Sequence, residues 1–384
     1  RRIAPDFKPA AVIVTTSDAA TIEEDARTSQ TTELASQADD LDGDLKVDEL
    51  AFQIDLKPKQ TRIVTIAYGD QATIARLRSS YPKRTHAKFT IRYEGMGWES
   101  EITAWRLYFD KRNAIDLYGK RRPGLYLELF GSPEYDYHEE SPIVRDIYKI
   151  GNALGIGSVG ALVNGKVLKV SDVSDRSWRI VADGPVRSIV ELIYKGWRVG
   201  NRSVDLTSRM TIWAGERGFE LRISATNVDG LVLVTGLPRK PGLSELTGAD
   251  VGASSQIVGS WGHQVLMTGA TATESLPDQN LGLIVFLSPA MPDSPPLAPL
   301  PADPDNYLVS VQLRNGVARW YIAAAWDQES TESMVTTASD PKGKNNNTTL
   351  AFPPRALTKR EEFIEYARQT DASLTQPAKV TLLS

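Results

Sequence analysis

Three consecutive stretches constrain this chain most. Residues 186–197, 203–213 and 218–227 are long, rich in β-branched and aromatic side chains, and separated by turns containing glycine or asparagine. Such residues fit a pleated, half-buried surface, and runs so closely spaced pair as neighbouring strands. Shorter runs of the same character lie at 11–15, 49–56, 61–68, 86–94, 100–110, 166–170, 177–182, 282–287, 307–313 and 317–323. Residues 95–98 (GMGW) read as the connection between two of them, and 72–79 as a short helix or a loop. The convincing helix spans 358–370, with Thr358 as its cap, Glu361 at capping-box spacing, and Phe363 and Tyr366 on one face. Many strands and few helical periods predict an all-β fold, a large antiparallel sandwich or barrel with one C-terminal helix. There is no internal repeat and no clean linker. Residues 1–384 therefore read as one large domain, with an acidic N-terminal loop (17–49) and a proline-rich excursion (289–304).

Composition removes several classes of function. A chain with 41% hydrophobic and 24% charged residues can bury a real core. Its net charge of −4 gives no reason to expect nucleic acid or an anionic membrane as partner. The absence of cysteine excludes disulfides, thiolate metal sites and thiol nucleophiles. No apolar run approaches the roughly 20 residues that span a bilayer. The start, Arg1-Arg2-Ile3-Ala4-Pro5, lacks a signal-peptide core and reads as a mature end from which an export signal has been removed.

The chemistry concentrates between Trp98 and Gly160. Aromatic residues, carboxylates and cations mix there too closely for a strand with one buried face, and such mixtures build sugar sites. Lys111-Arg112 and Lys120-Arg121-Arg122 form a local positive patch suited to an acidic small substrate. Trp98, beside two glycines and Glu99, is expected on a sugar face. His138, crowded by Tyr135, Tyr137, Glu139 and Arg145, is the histidine best placed for proton transfer, with His263 and His86 as further candidates. Gly155-Ile156-Gly157-Ser158-Val159-Gly160 matches a dinucleotide fingerprint in form only, because a strand-like run follows it instead of a helix. No Gly-x-Ser-x-Gly elbow is present, which argues against a serine hydrolase.

Asp40, Asp42, Asp44 and Asp48 alternate as calcium-wrapping carboxylates do, although Leu45 stands where a glycine normally makes the sharp turn. This spacing would suit a structural calcium ion; the alternative is an acidic solvated loop that introduces the next strand. No cofactor is expected to be required.

These pieces resemble a bacterial family known as domain of unknown function 4861. The resemblance rests on the DDLDGD…DEL loop, Trp98-Glu99-Ser100-Glu101, the run from Tyr108 to Asp116, Tyr137-His138-Glu139 and Gly155-Ile156-Gly157-Ser158, and it runs through most of the chain. It implies a periplasmic or secreted protein encoded among polysaccharide-utilisation enzymes, and a galactose-mutarotase-like super-sandwich. One relative in ulvan degradation is similar to an oligosaccharide dehydratase, which leaves an unsaturated uronate. The implied reaction is elimination, of water by a dehydratase or of a glycosyl group by an exo-lyase. Arg112, Arg106 or Lys120 would neutralise the uronate carboxylate, with Asn113 as a donor. His138 or Tyr137 would take the C5 proton, and the other of that pair or His263 would protonate the departing oxygen. Trp98, Glu99, Asp110 and Asp116 would hold the sugar. Two other readings stay open: glycoside hydrolysis by a carboxylate pair such as Glu139 with Asp110, and a non-catalytic carbohydrate-binding sandwich.

Overall fold

The computed structural model describes residues 7–18, 31–139, 141–268, 272–287, 300–330, 334–338, 348–352 and 356–382. Most of the proline-rich excursion and of the polar run at 342–349 lies outside the described residues, as does the middle of the acidic N-terminal loop. The fold is all-β and antiparallel, with a large eight-stranded sheet and a C-terminal helix. The three long runs form adjacent strands of that sheet, Arg187–Val199, Arg202–Trp213 and Gly218–Ala225, paired in sequence order. Burial alternates along Arg202–Trp213, so every second side chain enters the core.

Against one face of this sheet lies a five-stranded sheet. Its order is Val144–Asp146, Ile115–Lys120, Ala104–Tyr108, Gly95–Ser100 and Thr85–Thr90. A four-stranded sheet that includes Gly160–Val163 and Val232–Pro238 shares the same core. Trp98 and Trp105 meet Phe219 of the large sheet edge-on, at ring separations of 5.1 and 4.9 Å, a geometry that satisfies the ring quadrupoles while burying wide apolar area. The other face of the large sheet takes the C-terminal helix Arg360–Thr375, whose Phe363 and Ala367 pack on Trp261, Ile284 and Phe286.

Three local expectations need correction. GMGW is no connection: Gly95–Ser100 is a wholly buried strand. Glycine is required at position 95, where an added Cβ would stand 2.0 Å from the Leu107 carbonyl oxygen. The run expected as one strand over 100–110 instead starts with a turn. The Ser100 hydroxyl accepts from the Ile102 N–H at 3.0 Å and donates to the Glu216 carbonyl at 2.6 Å, which ends one strand and begins the next. The C-terminal helix starts at Arg360, and Glu362, not Glu361, caps it by accepting from the N–H groups of Thr358 and Lys359. The segment 72–79 resolves as a helix, Gln71–Ser80, capped by the Asp70 carboxylate on the Thr73 N–H. The glycine run is buried stitching: Gly157 donates to the Gly236 carbonyl at 2.8 Å and accepts from the Trp320 indole at 2.8 Å.

Phe219→Ala removes the ring that both tryptophans contact. It is expected to destabilise the protein by about 3–5 kcal/mol, measured by urea denaturation; a loss below about 1 kcal/mol would place the tryptophan contact outside the main core.

Candidate functional site

The five-stranded sheet has two working faces. Alternation sends Trp105 and Leu107 into the core and Arg106 outward, and sends Ile115 and Leu117 into the core and Asp116 and Tyr118 outward. The register sets Arg106 opposite Asp116 and Tyr118 opposite Asp146. Residues 121–139 then fold back over this outer face. Phe130 stacks on Tyr118 at 4.0 Å, and Tyr137 meets Tyr118 edge-on at 5.4 Å. The Tyr137 carbonyl accepts from the Asp146 N–H at 2.7 Å and fixes the returning chain.

Arg106 is the hub, almost fully buried. Its Nε and Nη2 donate to Asp116 Oδ2 at 2.9 and 2.6 Å, and Nη2 also donates to Asp146 Oδ2 at 2.9 Å. Its Nη1 donates to the Tyr118 and Tyr137 hydroxyls at 3.0 and 3.4 Å, and Nη2 to the Tyr108 hydroxyl. Tyr108 in turn donates to Asp116 at 3.0 Å. Burial pushes the Asp146 carboxyl up to about 6; the Asp116 charge adds to this and Arg106 opposes it. Burial also raises the Tyr137 hydroxyl, although Arg106 works against it, so that phenol stays protonated at neutral pH. Burial pulls the Lys240 ammonium down to about 8, against the attraction of Asp116 and Asp146.

His138 borders the network. It is half-buried, packs on the Tyr137 ring at 4.3 Å, and pairs through Nδ1 with Asp136 at 3.0 Å. Arg112 lies on the rim over the Tyr108 ring at 3.9 Å, and binds Asp110 and Glu94. Tyr137, His138, Arg106, Asp110 and Arg112 are therefore one neighbourhood, linked through Tyr108 and Tyr137.

Other expected site residues stand elsewhere. Trp98 is fully buried in the core, so it presents no face to a sugar. Asn113 is a buried turn residue at φ 40° that accepts from the Tyr194 hydroxyl at 2.5 Å. Glu99 and Lys120 are buried and consume each other. Lys120 Nζ donates to Glu99 at 2.6 Å and to the carbonyls of Ser100 and Gly124 at 2.6 and 2.7 Å. Glu99 also accepts from the N–H groups of Tyr126 and Leu127, which anchors the covering segment. His263 is exposed on the strand Gln256–Thr268 and takes no part in the Arg106 network. His86 bridges Asp183 and Glu128 at an edge of the five-stranded sheet.

Asp146, Tyr148 and Lys240 were not legible as site residues. Asp146 and Tyr148 sit in an ordinary alternating run, and Lys240 in a turn about 95 residues further on that the core brings back.

The acidic loop is compact. Carboxylate oxygens of Asp40, Asp42 and Asp48 lie within 4.8 Å of one another, while Asp44 stands outside this trio and pairs with Lys46. Leu45 adopts the left-handed φ of 68° that the glycine position requires, and its N–H donates to Asp40 at 2.8 Å. Arg179 and Arg209, both bound to Glu191, donate to the Leu41 carbonyl and fasten the loop to the large sheet.

A separate cleft of about 580 Å³ lies beside the C-terminal helix, lined by residues that include Arg217, Glu361, Glu365 and Tyr366. None of the residues expected in the site lines it.

An all-β sandwich with a largely buried polar and aromatic cluster, the basin, on the outer face of its five-stranded sheet is thus the class of protein defined here. The chain belongs to the family described as Domain of unknown function (DUF4861), whose model matches residues 10–339 and so includes both the basin and the acidic loop. No curated protein matches it. Among solved structures it is similar to an α-galactosidase from Lactobacillus brevis at 10% identity, covering 64% of this chain and 40% of that one, with a TM-score of 0.23. A score that low supports no inference about fold or activity.

Lys120→Met alone leaves the buried Glu99 carboxylate without its cation and is expected to cost about 3–5 kcal/mol. Adding Glu99→Gln should recover more than about 1 kcal/mol of that loss. Equal stability of the single and double variants in urea would show that the pair is not coupled.

Proposed function

We propose that this protein is a carbohydrate-active enzyme that eliminates water or a glycosyl group from a uronate-containing oligosaccharide, with the basin over Arg106 as its site. The observation that carries the reading is that Tyr137, with His138 packed on its ring, meets a buried guanidinium already held by two carboxylates. In the proposed reaction His138 takes the C5 proton, the C4–C5 double bond forms, and the C4–O bond breaks. The departing oxygen receives its proton from Tyr137, whose hydroxyl burial keeps protonated. Arg106 and Tyr118 hold the Tyr137 ring and hydroxyl in place. The likeness to the dehydratase of ulvan degradation belongs to this proposal, as does secretion to the periplasm or beyond.

Glycoside hydrolysis is the second reading, favoured by one observation. Asp146, whose carboxyl burial and then the Asp116 charge push up to about 6, faces a second carboxyl across the Arg106 guanidinium. This replaces the pair Glu139 and Asp110 expected from the sequence, since Asp110 is bound by Arg112 and Glu139 is exposed.

Incubation with uronate-ended oligosaccharides is expected to give the ultraviolet absorbance of an unsaturated uronate. Mass loss of water without chain shortening marks a dehydratase, and shortening with absorbance marks a lyase. Shortening without absorbance would replace elimination by hydrolysis. His138→Ala is expected to lower kcat by about 10²–10⁴-fold; full activity in that variant would remove His138 from the scheme.

The Asp40, Asp42 and Asp48 oxygens, with the turn at Leu45, fit a hard cation such as calcium, and a structural calcium ion there is part of the proposal. Calcium is expected to raise the Tm of chelator-treated protein, and Asp48→Asn to abolish the rise. An unchanged wild-type Tm in millimolar calcium would leave the loop as a solvated turn.

A further inference from the structure

The elimination scheme lacks one part. A uronate carboxylate needs a cation, and those expected to supply it are already committed. Lys120 is bound to Glu99, Arg112 to Asp110 and Glu94, and Arg106 to Asp116 and Asp146.

Lys240 is different. It follows the strand Val232–Pro238 in the turn Arg239-Lys240-Pro241-Gly242, half-buried, with Nζ 4.2 Å from the centre of the Tyr148 ring. Among the described residues Nζ has neither a hydrogen-bond acceptor nor an ion-pair partner. Asp116 and Asp146 are near enough to favour its charge, and Lys149 near enough to oppose it. Both carboxylates already receive hydrogen bonds from Arg106.

Tyr148 adjoins this ammonium. It is 2% exposed, and its buried hydroxyl has no hydrogen-bond partner among the described residues. Buried hydroxyls without partners are rare in native proteins, because each costs the loss of its bond to water. An ammonium and a hydroxyl with unused capacity thus belong to adjoining side chains, both within the electrostatic reach of Asp116. Among the described residues the Lys240 ammonium has no counter-ion of its own and the Tyr148 hydroxyl can donate, so a group that suits both is an anion.

We propose that Lys240, with the Tyr148 hydroxyl, binds the carboxylate of an acidic sugar in the basin beside Arg106 and so selects uronates over neutral sugars. This rests on the basin being the sugar site. It makes Lys240 a specificity-determining residue for that site. The ring of Tyr148 holds the ammonium by cation–π attraction until the anion arrives. In the elimination, the same contact would neutralise the carboxylate and make the C5 proton more acidic.

The test uses the full-length protein, calorimetric titration, and two probes. One is a disaccharide ending in glucuronate; the other is its carboxyl-reduced counterpart ending in glucose. Wild type is expected to prefer the acidic probe by about tenfold or more, the worth of one charged hydrogen bond. Lys240→Gln should abolish the preference, and Lys240→Arg should keep most of it, because arginine preserves the charge. Tyr148→Phe should weaken the acidic probe alone. Equal binding of the two probes by wild type, binding of neither, or a preference that survives in Lys240→Gln overturns the proposal. So does a Lys240→Arg protein that retains acidic-probe affinity but loses turnover as completely as Lys240→Gln, since lysine would then be acting as a base. The two readings fail separately. A Lys240-dependent preference without ultraviolet absorbance sinks elimination and keeps the anchor; absorbance with an unchanged KM in Lys240→Gln does the reverse.

Discussion

Everything in the basin depends on a single guanidinium taken out of water. A buried arginine is tolerated only when its five N–H donors find acceptors and its charge finds an opposite one. Arg106 meets both demands, with Asp116 on the facing strand, Asp146 on the next, and hydroxyls from Tyr108, Tyr118 and Tyr137. Those partners come from three strands and the covering segment. The network therefore fixes the register of the sheet edge and the position of the lobe above it together. It also decides which groups remain available, since a guanidinium bound by two carboxylates has little left for a substrate.

The covering segment has its own anchor. Glu99 and Lys120 meet on the outer face, and Glu99 reaches two N–H groups at the start of the short helix Leu127–Phe130. An ion pair so deeply buried contributes little net stability. Here it fixes where the chain turns back, and so where Tyr137 and His138 arrive over Arg106. Placement of the proton-transfer pair thus follows from a contact that never touches solvent.

Fold class was legible because the long strands carry period-two patterning over many residues, and the structure keeps them as hairpin neighbours. The strand Gly95–Ser100 was hidden by its glycines, which read as a turn but stand where backbones approach closely. Trp98 illustrates the limit for sites. Next to glycines and a carboxylate, an indole looks the same in sequence whether it faces a ligand or a core, and here the pleat turns it inward against Phe219. Glu99 and Lys120 were singled out for their charge, which the fold spends internally. Tyr137, His138, Arg106 and Arg112 do gather, because Arg106 and Arg112 lie in one hairpin and Tyr137 and His138 in the segment that covers it. Lys240 arrives from a distant turn, and no local pattern marks such a meeting.

The strand Ala104–Tyr108 gives adjacent residues to opposite faces, Trp105 to the apolar interior and Arg106 to the basin. Inserting or deleting one residue there would exchange the two, driving a charge into hydrocarbon and an indole into the polar hollow. Five residues are thus held to a fixed length by two unrelated demands. Turns elsewhere carry no such double demand, but this strand must keep its count for the basin to persist.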